Sequence, residues 1–182
     1  MKKILSTMML LLTMTATLSL TSCDTDDSIG YTLEGTWQGN LYMTCTYDGV
    51  TYQSTYTEIC FLSDPYRYSS GYGYWADHYN TYIGGYNYVG SRFSWRVING
   101  DIHIYFYDDD TEIWIEDYRL NDRHFMGRIY YGDTFVDFDL VHVDSPHWDN
   151  YYFYDSYYGY YNRTNADRSA EVTVPKRGMN VR

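Results

Sequence analysis

The chain has 182 residues, 45% of them apolar and 25 of them tyrosine, and it carries a formal net charge of −11 at pH 7. Such acidity repels phosphate backbones and anionic headgroups, which argues against nucleic acid as a partner. Three Pro, scarce helix-forming runs, and aromatic or β-branched stretches punctuated by turn residues predict an all-β domain.

Lys2 and Lys3 precede an apolar run from Met8 to Leu20, which stops at Leu20-Thr21-Ser22-Cys23. A positive start, a short apolar centre and small residues at the break describe a secretory signal, residues 1–22, too short for a comfortable membrane span. Leu20-Thr21-Ser22-Cys23 resembles the bacterial lipobox, which implies that Cys23 is lipidated and becomes the first residue of the mature chain. A plain signal peptide with an accidental Cys is the alternative. Asp24, Asp26 and Asp27 follow at once, and this acidic stretch resembles the surface-export signal of Bacteroidetes lipoproteins. Together the two resemblances imply a lipid-anchored protein of the outer membrane, facing outward. Removing residues 1–22 takes away two lysines and no acid, so membrane attachment would come from the lipid alone, at ~0.8 kcal/mol per buried CH₂. Residues 23–33 then read as an acidic tether, 34–143 as the folded domain, 144–162 as a Tyr-rich strap and 163–182 as a flexible tail.

Eight strands are predicted, at about 34–47, 50–62, 66–76, 91–98, 101–107, 112–120, 123–131 and 134–143. Register is fixed best at Asn99-Gly100, a two-residue type I′ turn whose central positions need a positive φ. It sets Val97 against Ile102, Trp95 against Ile104 and Phe93 against Phe106 on one face, with Ser94, Arg96, His103 and Tyr105 on the other. A slip of one residue would expose that apolar set at a cost of roughly 1.5–3 kcal/mol per large side chain. Asp48-Gly49 predicts a second hairpin with Cys45 opposite Tyr52. Cys60 would lie roughly 26 Å further along that strand at ~3.3 Å per residue, so two separate thiols are expected. Asn121-Asp122 sets Tyr118 against Phe125 and Trp114 against Ile129, and Gly132-Asp133 sets Phe125 against Leu140. Residues 77–90, with Gly84-Gly85, read as a long loop at one rim, either a functional lip or a disordered tip.

Near neighbours in sequence thus pair in space. Eight antiparallel strands, each with one apolar face, remove their open edges by closing into an up-and-down barrel; a β-sandwich or open meander is the alternative. Gly35-Thr36-Trp37 resembles the Gly-x-Trp of lipocalin-like and avidin-like barrels, where the Trp plugs one end. No Arg stands on 134–143 to pack over it, a departure from the lipocalin pattern. With its anchor, the whole chain resembles the lipocalin-like lipoproteins of Bacteroidetes. The candidate ligand-lining residues are Trp37, Trp95, Trp114, Glu116 and Tyr118. Alternation with Trp114 and Tyr118 aims Glu116 inward, whereas a β-bulge near Ile115 would turn it out and bury Ile113 and Ile115.

Recognisable catalytic motifs are absent: there is no Ser-His-Asp elbow, P-loop, Cys-x-x-Cys or His-Glu-x-x-His. The expectation is a non-enzymatic binding module for a small apolar or glycan ligand, with no metal or other cofactor. Two alternatives stand beside it: a structural or protein-interaction lipoprotein whose barrel is filled by its own side chains, and a hydrolase at the loop rim. His103 and His124 fall on outward faces. Asp108-Asp109-Asp110 with Glu112 reads as a solvated hairpin tip more readily than as a Ca²⁺ loop. The outward row Tyr72, Tyr74, Tyr105 and Tyr107 suits stacking on sugars or protein surfaces, or is only the surface of a sheet.

Overall fold

The computed structural model describes residues 21–108, 110–153 and 176–179. The expected signal peptide up to residue 20, the strap from 154 to 162 and the tail from 163 to 175 lie outside the described residues. In chain order the elements are α1 (Thr21–Leu33), β1 (Gly35–Gly39), β2 (Met43–Tyr47), β3 (Val50–Gln53), β4 (Tyr56–Asp64), β5 (Arg67–Ile83), β6 (Tyr86–Ile98), β7 (Asp101–Phe106), β8 (Thr111–Leu120), β9 (His124–Tyr131), β10 (Thr134–Val143) and β11 (Lys176–Met179). β1, β10, β9, β8, β7, β6, β5 and β4 form a closed antiparallel barrel in that order, which sets aside the sandwich and the open meander. β11, β2 and β3 form a separate sheet.

Asn99 and Gly100 take φ of 54° and 93°, as a type I′ turn requires, and the Phe93–Phe106, Trp95–Ile104 and Val97–Ile102 pairs stand in the predicted register. Their inward side chains join one continuous core. Phe61 lies edge-on to Phe93 at 5.4 Å, to Trp95 at 5.8 Å and to Phe125 at 6.5 Å, the arrangement aromatic quadrupoles favour. Gly73 makes room for this: a Cβ there would sit 2.3 Å from the Phe93 ring. Trp37 is fully buried; its Nε1 donates to Leu33 O at 2.8 Å and its ring packs 5.6 Å from Phe125. On β10 it is His142, not an Arg, that lies over this Trp, 4.9 Å from its ring.

Several expectations are corrected. The predicted strands 34–47 and 50–62 are each broken: the first where Asn40 Oδ1 accepts from the Tyr42 N–H at 2.7 Å and Tyr42 turns the chain out of the wall at φ 53°, the second where the Ser54 N–H donates back to Met43 O at 2.8 Å and the Thr55 N–H to His78 O at 2.7 Å. The Asp48-Gly49 hairpin does form, with Cys45 opposite Tyr52, but as β2 and β3 outside the barrel; Cys45 and Cys60 are separate buried thiols. Residues 77–90 are not a loop. β5 and β6 continue through them to a two-residue turn at Gly84-Gly85, with φ of 61° and 97°, and Tyr79, Ile83 and Val89 bury against Cys45. Between β8 and β9, Leu120 opposes Phe125, two residues out from the predicted pairing, and Ile115 opposes Ile129, one residue out. A bulge at Asp117, φ 49°, restores the phase, so Ile113 and Ile115 point inward, Trp114 and Glu116 outward, and Tyr118 inward again.

Both ends of the domain differ from simple tails. Residues 23–33 belong to helix α1 rather than to a tether. Ile29 and Leu33, four apart and therefore on one helical face, pack into the barrel core. Asp26 accepts from the backbone N–H groups of Gly100 at 2.8 Å and Asn99 at 3.1 Å, and Asp27 from that of Ser69 at 2.9 Å. Lys176–Met179, within the expected flexible tail, pairs with β2 as strand β11. On the outer face, Trp148 stacks on Tyr74 at 5.4 Å and Phe153 lies 5.1 Å from the same ring, covering Cys60 and Ala76.

Candidate functional site

The candidate lining residues do not converge on one interior site. Trp37 and Trp95 fill the interior; Trp95 is 2% exposed and its Nε1 lies between Tyr72 O at 3.2 Å and Leu62 O at 3.3 Å. Tyr118 is half-buried at the α1 end and donates its hydroxyl to Gly100 O; burial pushes this phenol up to about 12. Trp114 and Glu116 stand on the outer face, where Glu116 opposes Arg128. Cys23 falls in the first turn of α1, and Asp26 and Asp27 hold that helix to the barrel.

A different site emerges on the outer wall. Pairing across β5, β6, β7 and β8 aligns Tyr72, Ser94, Tyr105 and Glu112 in one outward row, and Ser70, Arg96, His103 and Trp114 in the next. Small serines between large neighbours leave a trough. It is a groove of about 510 Å³, floored by Ser70 and Ser94 and walled by Tyr72, Tyr105 and Tyr107. Tyr72 is 53% exposed and Tyr107 46%, so their rings are open to a ligand.

Its polar end is ordered by contacts. Arg96 Nε donates to His103 Nδ1 at 3.2 Å, so the neutral imidazole carries its proton on Nε2. That nitrogen lies 3.2 Å from Glu112 Oε2, near enough for attraction but without the alignment of a hydrogen bond. The imidazole is only 4% exposed because Trp114 covers it, with ring centres 4.2 Å apart. Tyr105 donates to Asp110 Oδ1 at 2.6 Å, and this carboxylate raises the phenol above its ordinary value. Asp108 instead accepts from Ser91 at 2.6 Å, so the described acids of the Asp108–Glu112 run diverge. Among the described residues no group of three His, Cys, Asp or Glu side chains is placed to hold a metal ion.

The outward tyrosines and serines are legible as alternation, but Trp114 and His103 are not legible as partners. The bulge, expected as the alternative near Ile115 and found at Asp117, changes the face on which Trp114 stands. A second polar knot was missed for another reason: His78 lies in the segment read as a loop. Its Nε2 is 2.9 Å from Glu58 Oε2, which also accepts from the Tyr151 hydroxyl at 3.0 Å, while Tyr56 stacks on the imidazole at 4.2 Å. Compared with known protein families, with curated proteins and with solved structures, the chain matches none.

Proposed function

We propose that the protein is a non-enzymatic binding module of the cell envelope, anchored through a lipid on Cys23, whose outer groove takes a glycan. The observation that carries this reading is the meeting of Tyr72, Tyr105 and Tyr107 with Arg96, His103 and Glu112 over a floor of serines. Flat rings stack on the C–H faces of a sugar, and donors and acceptors at one end fix the orientation of its hydroxyls. An apolar ligand inside the barrel has less support, because Trp37, Trp75, Phe61, Phe93, Phe106 and Phe125 are fully buried there. An eight-stranded barrel is just wide enough to be filled in this way. The anchor is supported by Leu20-Thr21-Ser22-Cys23, and an outward-facing location in the outer membrane by Asp24, Asp26 and Asp27.

Calorimetric titration of the detergent-extracted protein with neutral oligosaccharides tests the groove. Saturable binding is expected, and Tyr105→Ala should weaken it by about tenfold, the equivalent of ~1.4 kcal/mol. A protein-interaction surface is the second reading, favoured by the same filled interior. Failure of every saccharide together with specific, Tyr105-dependent retention of a protein would establish it instead. For the anchor, Cys23→Ala is expected to leave the detergent-rich phase on temperature-induced phase separation; unchanged partitioning would remove the lipoprotein reading.

A further inference from the structure

One side chain crosses from the β11–β2–β3 sheet into the barrel wall. Arg177 of β11 has a side chain 7% exposed, and Asp77, on the inner face of β5, is 1% exposed. Asp77 Oδ2 accepts from Arg177 Nε at 3.1 Å, while Oδ1 accepts from Thr57 Oγ1 at 2.7 Å and Trp75 Nε1 at 2.9 Å. Arg177 Nη2 donates to Ser91 Oγ at 2.6 Å, and Ser91 donates on to Asp108 Oδ2. The guanidinium carbon lies 4.4 Å from the centre of the Phe106 ring and 5.5 Å from that of Trp75.

Asp77, Trp75, Thr57, Ser91 and Phe106 belong to strands of the barrel, whereas the cation arrives on a four-residue strand that, among the described residues, pairs with β2 alone. A planar guanidinium meets a carboxylate with its edge and aromatic rings with its face; an ammonium offers only a compact, more strongly hydrated charge. The flanking backbone is read as well. Arg177 stands opposite Cys45 and Gly178 opposite Thr44, and a Cβ at position 178 would come within 2.9 Å of Thr44 Oγ1. Strand addition to an edge fixes register through the main chain, and a pocket for one side chain supplies specificity.

We propose that this end of the barrel is a recognition site for an extended peptide bearing Arg followed by Gly, which the chain fills with its own Arg177. The strand 176–179 is thus a tethered ligand, and a competing Arg-Gly segment from a partner displaces it.

The test uses the full chain carrying Arg177→Ala and a synthetic peptide with the sequence of residues 174–181, labelled for fluorescence anisotropy. Emptying the cage leaves Asp77 without its cation, and a fall in the unfolding midpoint of roughly 10 °C is expected. The peptide should bind the variant saturably and raise that midpoint. It should bind the unsubstituted protein at least tenfold more weakly, because the tethered strand competes at an effective concentration on the order of millimolar. A peptide with Lys in place of Arg, or Asp77→Asn added to the variant, should abolish binding. If the variant does not fold, recovery of its near-ultraviolet dichroism on adding the peptide or ethylguanidinium supports the site, and no recovery overturns it. Equal binding by the variant and the unsubstituted protein, no binding by either, or equal binding of the Lys peptide also overturns it.

Discussion

Trp95 and Arg96 are adjacent in sequence and opposite in consequence. Trp95 is buried against Phe61, whereas Arg96 is exposed and touches His103 at the end of the groove. Trp95→Ala is expected to cost ~3–5 kcal/mol in chemical denaturation, and Arg96→Ala under ~0.5 kcal/mol. Saccharide titration should reverse the order, with Arg96→Ala losing affinity at unchanged stability. Small, equal effects on both measurements would mean that this register is not the one the protein uses in solution. That register was legible because Asn99-Gly100 admits one pairing. Trp114 was legible only as one of two alternatives: burial of Ile113 and Ile115 pointed to a bulge, but Asp117 tolerates positive φ without announcing it, and one inserted residue moved the whole preceding half of β8 to the other face.

At the scale of elements, carboxylates rather than apolar contacts alone fasten α1 and the strap. Asp26 receives two backbone N–H groups of the Asn99-Gly100 turn, so Asp26→Ala should lower stability by ~1–2 kcal/mol in urea. Asp26→Asn keeps one acceptor oxygen but sets an NH₂ donor against the other backbone N–H, so it should lose part of that stability as well as the charge. If the acidic stretch directs export, this substitution should also protect the protein from protease added to intact cells; continued degradation would count against an export role for Asp26. The strap depends on Glu58, whose pKa is lowered chiefly by the hydrogen bond to His78 and further by that from Tyr151, against the opposing effect of burial. A carboxyl depressed in the folded state contributes stability that is fully present above its ordinary value of 4.5 and lost as pH falls through the folded value. Trp148 fluorescence, read as pH falls below 4.5, should therefore report release of the strap, and Glu58→Gln should flatten that transition. A profile unchanged by the substitution would assign the release to another group. Helix α1 escaped the sequence because Cys23 to Asp27 reads as polar leader, and its apolar contribution is confined to Ile29 and Leu33. The β5–β6 extension escaped because its tyrosines and glycines have loop composition, although Gly84-Gly85 was a hairpin turn in plain view.

The barrel as a whole was legible because alternation, turn spacing and the Gly-x-Trp motif agree with one another, while the two excursions from its wall break that agreement only locally. Its seam has a consequence for timing. β1 must find β10, with Trp37 opposite His142, and Thr36 bonds Ser145 across 109 positions; Arg177 reaches Asp77 across 100. Contacts so distant in sequence are slow to form, because loop closure has to precede any gain from pairing. A chain emerging with α1 first can make the hairpins of its middle strands but cannot close the wall until residue 143 is available, nor seat Arg177 until its last strand has followed. Pulse-labelled hydrogen exchange during refolding should find the β6–β7 amides protected early and those between β1 and β10 late; simultaneous protection would contradict this order. A nascent molecule that keeps its cylinder open to the end stays threadable until then, as the export proposed for it would require.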